Sequence, residues 1–144
     1  MILYRVQMSF YYNANYSVCS GEGNSITYDN KTAWFKHGQF HRLNGPALEY
    51  DNGDNVWYMN GKCHRLDGPA FNVSHTTAYW QNGQRHRVDG PAVIGPNVEY
   101  WYQYDKLHRV DGPAMREYDT IEFWFCGIKC TYEEYLKLLK LDSL

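Results

Sequence analysis

The hydrophobic and polar positions of this chain recur as a block. An aromatic pair is followed by a polar turn, then His-Arg, one aliphatic residue, Asn or Asp, and Gly-Pro-Ala. The block closes as HRLNGPA at 41–47, HRLDGPA at 64–70, and HRVDGPA at 86–92 and 108–114. The steps from His to His are 23, 22 and 22 residues. Seven residues before each His stands an aromatic, at Trp34, Trp57, Tyr79 and Trp101, and a second follows it at Phe35, Tyr58, Trp80 and Tyr102. Gly38, Gly61 and Gly83 lie three residues before the His, whereas the fourth copy has Asp105-Lys106 there. FWFCGIKC opens an incomplete further copy, with Trp124 and Phe125 at the aromatic pair and Gly127 one position early. Self-similarity at a fixed period near 20 marks a repeat architecture, in which each unit buries its apolar face against its neighbours.

Within a block the pattern is β-strand and turn. ALEY (47–50) reads as a strand, DNGD as a turn, NVWYM (55–59) as a strand and NG as a tight hairpin turn. KCHR then returns as a short strand and LDGPA bends into the next block. The extra residue of the longer step is assigned to DNGD, since loops accept insertions. The expected fold is all-β: an array of about five β-hairpin repeats with a period of ~22 residues, capped at both ends. Residues 2–12 alternate, with Ile2, Tyr4, Val6, Met8 and Phe10 on one face, and read as a capping strand. Residues 13–25 read as a loop. TYEEYLKLLKL reads as a capping helix, with Thr131 and Glu134 as a capping box and Tyr132, Tyr135, Leu136 and Leu139 as its apolar face. A dimer contact, hence a homo-oligomer, is the alternative use of that helix. The divisions are 1–33 (strand, loop and start of the first hairpin), 34–130 (repeat array) and 131–144 (helix), within a single compact domain.

Composition narrows the function classes. Of 144 residues, 44% are apolar and 17% aromatic, which favours an ordered chain. Fourteen basic against 16 acidic residues leave a net charge of −2, so a duplex-DNA partner is not expected. MILYRVQMSFYY lacks a basic leader, and no stretch approaches the ~20 apolar residues of a membrane helix. A cytoplasmic location with Cys19, Cys63, Cys126 and Cys130 reduced follows as an expectation.

His-Arg-x-Asp has the residue types of an acid–base site, with His as base, Arg as anion clamp and Asp as orienter. Its repetition and Asn44 in the first copy argue for a structural role instead. Asn cannot serve as a charged orienter, but it does accept a backbone hydrogen bond in a turn. On this reading His41, His64, His86 and His108 bond backbone at turns. Arg42, Arg65, Arg87 and Arg109 pair with Asp67, Asp89, Asp111 or a carbonyl and stack on rings. Gly45, Gly68, Gly90 and Gly112 supply φ > 0 at the bend, and the Ala that ends each motif allows close packing. Trp57, Trp80 and Trp101 are expected in the core, with Trp34 and Trp124 in the same register. Neither metal nor cofactor is implied: equivalent histidines two or three strands apart are too distant for one ion. The candidate binding face is formed by the four arginines with Tyr58, Tyr102 and Tyr104, residue types enriched at interfaces.

The pattern W-Y-x-N-G-x-x-H-R-x-D-G-P-A, clearest in VWYMNGKCHRLDGPA at 56–70, resembles a divergent branch of the MORN-like β-hairpin repeats of bacteriophages and giant viruses. The resemblance covers roughly 34–139. It implies a hairpin array and a non-catalytic role in scaffolding, protein contacts or lipid headgroup binding. For a viral protein, the partner would be a host protein that is inhibited or sequestered, such as a defence component. Two other functions follow from the residues: a sponge for a small anionic ligand such as a signalling nucleotide, and a His-dependent nuclease or phosphodiesterase using His64, His86 or His108.

Overall fold

The computed structural model describes residues 16–19 and 23–142. The strand expected at 2–12 lies outside the described residues. The chain divides into two compact units, Met1–Gly61 and Lys62–Leu144. The described residues of both form short antiparallel strands and hairpins, and a helix closes the second.

The first unit contains β1 (Tyr16–Cys19), β2 (Gly23–Tyr28), β3 (Lys31–Lys36), β4 (Gln39–Phe40), β5 (Leu48–Tyr50), β6 (Asn55–Val56) and β7 (Tyr58–Met59). Its sheet runs β1-β2-β3-β5-β6, with β4 also on β3. The loop expected over 13–25 is overturned at 16–19 and 23–25, the rest of it lying outside the described residues: β1 pairs with β2, Tyr16 opposite Ile26 and Cys19 opposite Gly23. Tyr, Val, Ile and Thr in YSV and SITY are strand formers, and they outweigh the small polar residues between them.

The second unit contains β8 (Lys62–Cys63), β9 (Phe71–Val73), β10 (Thr76–Ala78), β11 (Trp80–Gln81), β12 (Gln84–Arg85), β13 (Val93–Gly95), β14 (Val98–Tyr100), β15 (Tyr102–Gln103), β16 (Lys106–Leu107), β17 (Met115–Glu117), β18 (Thr120–Phe125), β19 (Ile128–Cys130) and helix α1 (Tyr132–Asp142). Its sheet runs β9-β10-β13-β14-β17-β18-β19, while β11–β12 and β15–β16 are separate two-stranded hairpins.

The strand expected as NVWYM is interrupted at Trp57, and the same interruption falls at Tyr79 and Trp101. At Tyr79 and Trp101 the chain changes partner. The Tyr79 N–H donates to the Ala92 carbonyl and that of Trp101 to the Ala114 carbonyl. The aromatic carbonyls then accept from His86 and His108. Trp34 makes the corresponding bonds to Ala47 and His41 inside the six-residue β3. Residues before the aromatic thus belong to the broad sheet, and residues after it to a tight hairpin.

Those hairpins turn through two residues of positive φ, the primed geometry that suits strand twist: Asn82-Gly83 (53°, 83°), Tyr104-Asp105 (50°, 60°) and Cys126-Gly127 (51°, 84°). Tyr104-Asp105, not Asp105-Lys106, therefore stands in the Asn-Gly place. The last copy also shifts by one. The Arg109 N–H donates to Trp124, as that of Arg87 does to Tyr102 and that of Arg65 to Trp80. Phe123-Trp124 is the aromatic pair there, and Gly127 is in register. The longer first step is indeed taken up by the 51–54 turn, since the later turn at Ser74-His75 needs only two residues.

The core is made of small side chains. Ala47 in the first unit and Ala70, Ala92 and Ala114 in the second, the last residue of each motif, are 0% exposed. Trp57, Trp80 and Trp101, expected in the core, are only half-buried. Among the described residues of each unit, one sheet with small hairpins leaves the indole rings without a second layer to enclose them. Helix α1 begins with the expected capping box: Glu134 Oε2 accepts the Thr131 N–H at 2.8 Å and Thr131 Oγ1 accepts the Glu134 N–H at 3.3 Å. It packs on the β18–β19 hairpin, where Tyr132 and Tyr135 flank Phe123 at 5.1 and 5.0 Å between ring centres. Tyr135 is the buried residue of its face, with Leu138 and Leu139 half-buried. The expected Leu136 and Tyr132 are exposed, because the helix is rotated to put the Tyr135 hydroxyl on the Gly112 N–H at 3.0 Å.

The alanines leave no room for growth. Ala92→Leu is expected to destabilise the protein by about 1–3 kcal/mol, measured as a lower urea midpoint. An unchanged midpoint would show that the site is looser than described.

Candidate functional site

The HRxDGPA turn has one geometry, seen in each unit separately. In the second unit, Arg65, Arg87 and Arg109 donate through Nε to Oδ1 of Asp67, Asp89 and Asp111, at 2.7, 3.0 and 2.6 Å. The same guanidinium groups donate through Nη1 to the carbonyls of Pro69, Pro91 and Pro113. Arg87 lies over the Tyr79 ring at 4.1 Å and Arg109 over Trp101 at 3.9 Å. In the first unit, Arg42 lies over Trp34 at 3.8 Å and donates to the Pro46 carbonyl. Asn44 stands where the others have Asp, and Arg42 pairs instead with Glu49 at 2.9 Å.

The glycine of the motif has a different purpose from the one its sequence suggests. Gly45, Gly68, Gly90 and Gly112 do not have positive φ; among the described residues the glycines that do are the turn glycines Gly38, Gly53, Gly61, Gly83 and Gly127. A Cβ at Gly90 would sit 2.6 Å from Arg87 Cζ, and one at Gly45 2.7 Å from Arg42 Cζ; at Gly68 and Gly112 the distance is 3.1 Å. The glycine is there so that the guanidinium can lie flat against the backbone, with an aromatic ring on its other side where the stack is formed.

The histidines tie each turn to the next hairpin. Nδ1 of His64 accepts the Asn82 N–H at 3.0 Å, and Nδ1 of His108 accepts the Cys126 N–H at 3.1 Å. His41 does the same with Asn60 in the first unit, at 3.1 Å. These three nitrogens are therefore unprotonated acceptors, with the ring proton on Nε2. His86 differs: its ring packs on Tyr104 at 4.1 Å, and its buried Nδ1 has no hydrogen-bond partner among the described residues. The hairpin it faces is the one with Tyr104-Asp105. There Asp105 Oδ1 accepts from the backbone and the guanidinium of Arg85, at 3.1 and 2.6 Å.

The other residues singled out from the sequence are spread over the surface. Tyr58 is half-buried, 5.2 Å from the Phe40 ring. Tyr102 lies under Arg85 at 3.9 Å, and Tyr104 is 59% exposed. The Trp124 indole N–H donates to Glu122 at 2.9 Å. Cys63, Cys126 and Cys130 are free thiols, and burial pushes the Cys63 thiol up to about 12. Among the described residues no cluster of His, Cys, Asp or Glu is placed to hold a metal, and no helix is long and apolar enough to cross a membrane.

What sequence reading passed over is the aliphatic x of HRxDGPA. Leu66, Val88 and Val110 in the second unit are 75%, 70% and 51% exposed, and Leu43 in the first is 53% exposed. The signal was present in the sequence, since x is Leu or Val each time. Beside them the side chains of Asp67, Asp89 and Asp111 are 79%, 84% and 69% exposed. A cleft of about 470 Å³ separates two successive turns, with Leu66, Asp67, Tyr79, Gln81, Val88 and Asp89 among its walls. No family model, curated protein or solved structure matches the chain.

Two outcomes follow. Gly90→Ala should lift Arg87 from Tyr79 and cost about 1–3 kcal/mol; in an Arg87→Ala background the same change should cost much less. Equal costs in a double-mutant cycle of urea melts would refute the clamp. The second concerns pH. Hydrogen bonds from Arg65, Arg87 and Arg109 hold the carboxyls of Asp67, Asp89 and Asp111 below the usual range. A depressed folded value gives stability that is complete above the unfolded value of about 4 and is lost as pH falls through the folded value. The triple Asp→Asn variant at 67, 89 and 111 should therefore lose less Tm than the parent between about pH 5 and about pH 2. Superimposable acid limbs would refute it.

Proposed function

We propose that the chain is a non-catalytic binding protein, a MORN-like hairpin array of about five units, whose docking face is the row of exposed aliphatic residues at its motif turns. The observation that carries this is the exposure of Leu66, Val88 and Val110 in one register of the second unit. Scattered exposed aliphatics need no explanation, but a repeated, aligned set marks an interaction surface. The arginines support this face from beneath. Their side chains are only 24%, 22% and 17% exposed at 65, 87 and 109, and each is held by a carboxylate and a carbonyl. An anionic ligand would have to displace these bonds, which weighs against the nucleotide-sponge reading. Catalysis is also less well supported, because His64 and His108 already use Nδ1 on backbone N–H groups. The resemblance to viral repeat proteins makes a host protein the natural partner.

The test is a Leu66→Ser, Val88→Ser, Val110→Ser variant. As surface changes these should shift stability by no more than about 0.5 kcal/mol each, while proteins captured from a bacterial lysate by the parent are lost. Undiminished capture by the variant would overturn the reading.

A further inference from the structure

Resting on that docking-face reading, we propose that the row on the second unit takes an extended basic segment in the polyproline-II conformation, with an apolar side chain at every third residue.

Spacing comes first. The turns at 64–70, 86–92 and 108–114 lead into β9, β13 and β17, which are alternate strands of one sheet. Leu66, Val88 and Val110 therefore recur every two strands, about 9.6 Å apart at the usual strand separation. A polyproline-II chain rises 3.1 Å per residue with three residues per turn, so every third side chain returns to the same face after about 9.3 Å. An α-helix returns after seven residues and about 10.5 Å, and is about 1.8 Å off the row after two intervals, against about 0.6 Å for polyproline II. A β-strand presents the same face only at even steps, about 6.7 or 13 Å. Sheet twist also rotates successive turns, which an extended chain follows more readily than a rigid helix.

Charge comes second. Each Arg–Asp pair is oriented with its cation inward, against ring or glycine, and its carboxylate in water. The row thus alternates aliphatic and negative groups at one period. A second copy of this face would bring like charges together, so a segment with Lys or Arg between its apolar residues is the complement.

The cleft comes third. Tyr79 and Gln81 line the 470 Å³ space between the turns at 64–70 and 86–92. A polyproline-II segment makes no internal hydrogen bonds and leaves its carbonyls free. The Gln81 amide can donate to one of them, and Tyr79 with Leu66 and Val88 offers an apolar wall to a proline ring.

The probe is a fluorescein-labelled twelve-residue Pro-Leu-Lys repeat peptide, about 37 Å long, titrated with the full chain and read by fluorescence anisotropy. Saturable binding is expected, weakened about tenfold or more by Leu66→Ser with Val88→Ser, and by replacing Lys with Glu in the peptide. A Pro-Leu-Lys-Gly repeat, which breaks the three-residue period, should lose a similar factor. Absence of saturation, equal binding of the three- and four-residue periods, or equal binding of the Lys and Glu peptides overturns the proposal. So does tighter binding of a basic helical peptide with Leu every seventh residue. If lysate capture still depends on Leu66 and Val88 in any of these cases, the docking face stands and only this occupant falls.

Discussion

Everything in the motif turns on one planar cation. A guanidinium lies flat on the backbone at a glycine, with a tyrosine or tryptophan ring over it at Arg42, Arg87 and Arg109. Its in-plane N–H groups are held by an acid and a proline carbonyl. A lysine has no flat face and no fork, and could not make these contacts together. The stack covers part of each aromatic residue that the thin sheet leaves open to water. This is how a chain in which most buried apolar residues, among those described, are alanines still shields its rings.

The repeat was legible because identical chemistry recurs at a fixed interval. The hairpins, the capping box at Thr131 and Glu134, and the use of Arg and His as fasteners could be read from residue types alone. Three things could not. The interruption of the strands at Tyr79 and Trp101 depends on which neighbour receives the aromatic N–H, and that is decided across the sheet. The place of Gly90 depends on a side chain three residues away, whereas the common association of glycine with φ > 0 points elsewhere. The last aromatic pair is Phe123-Trp124 because the Cys126-Gly127 turn sets the register, and Phe125 beside Trp124 offered an equally aromatic choice. As for the candidate site, the arginines were conspicuous because they are charged. Leu66, Val88 and Val110 were not, because exposure cannot be read from an aliphatic letter.

The two faces of the turn divide the work. The conserved-looking polar letters, His, Arg and Asp, are largely occupied in holding the turn, and the less conspicuous x points into water. Any ligand that meets this surface meets aliphatic groups and carboxylate oxygens, with the cations behind them. Affinity would come from many small, equally spaced contacts rather than from one deep pocket, so it would grow with the number of turns engaged.

Sameness also carries a hazard. Where every turn offers the next hairpin the same acceptors, a growing chain could dock a hairpin one whole unit out of place and still satisfy most of its bonds. Arg85 and Asp105 break that degeneracy. They join β12 to the hairpin that follows the third turn through both a backbone and a side-chain bond, with Tyr104 seated on His86 beside them. The irregular hairpin is told apart from its siblings by contacts that a hairpin one unit out of place would lose.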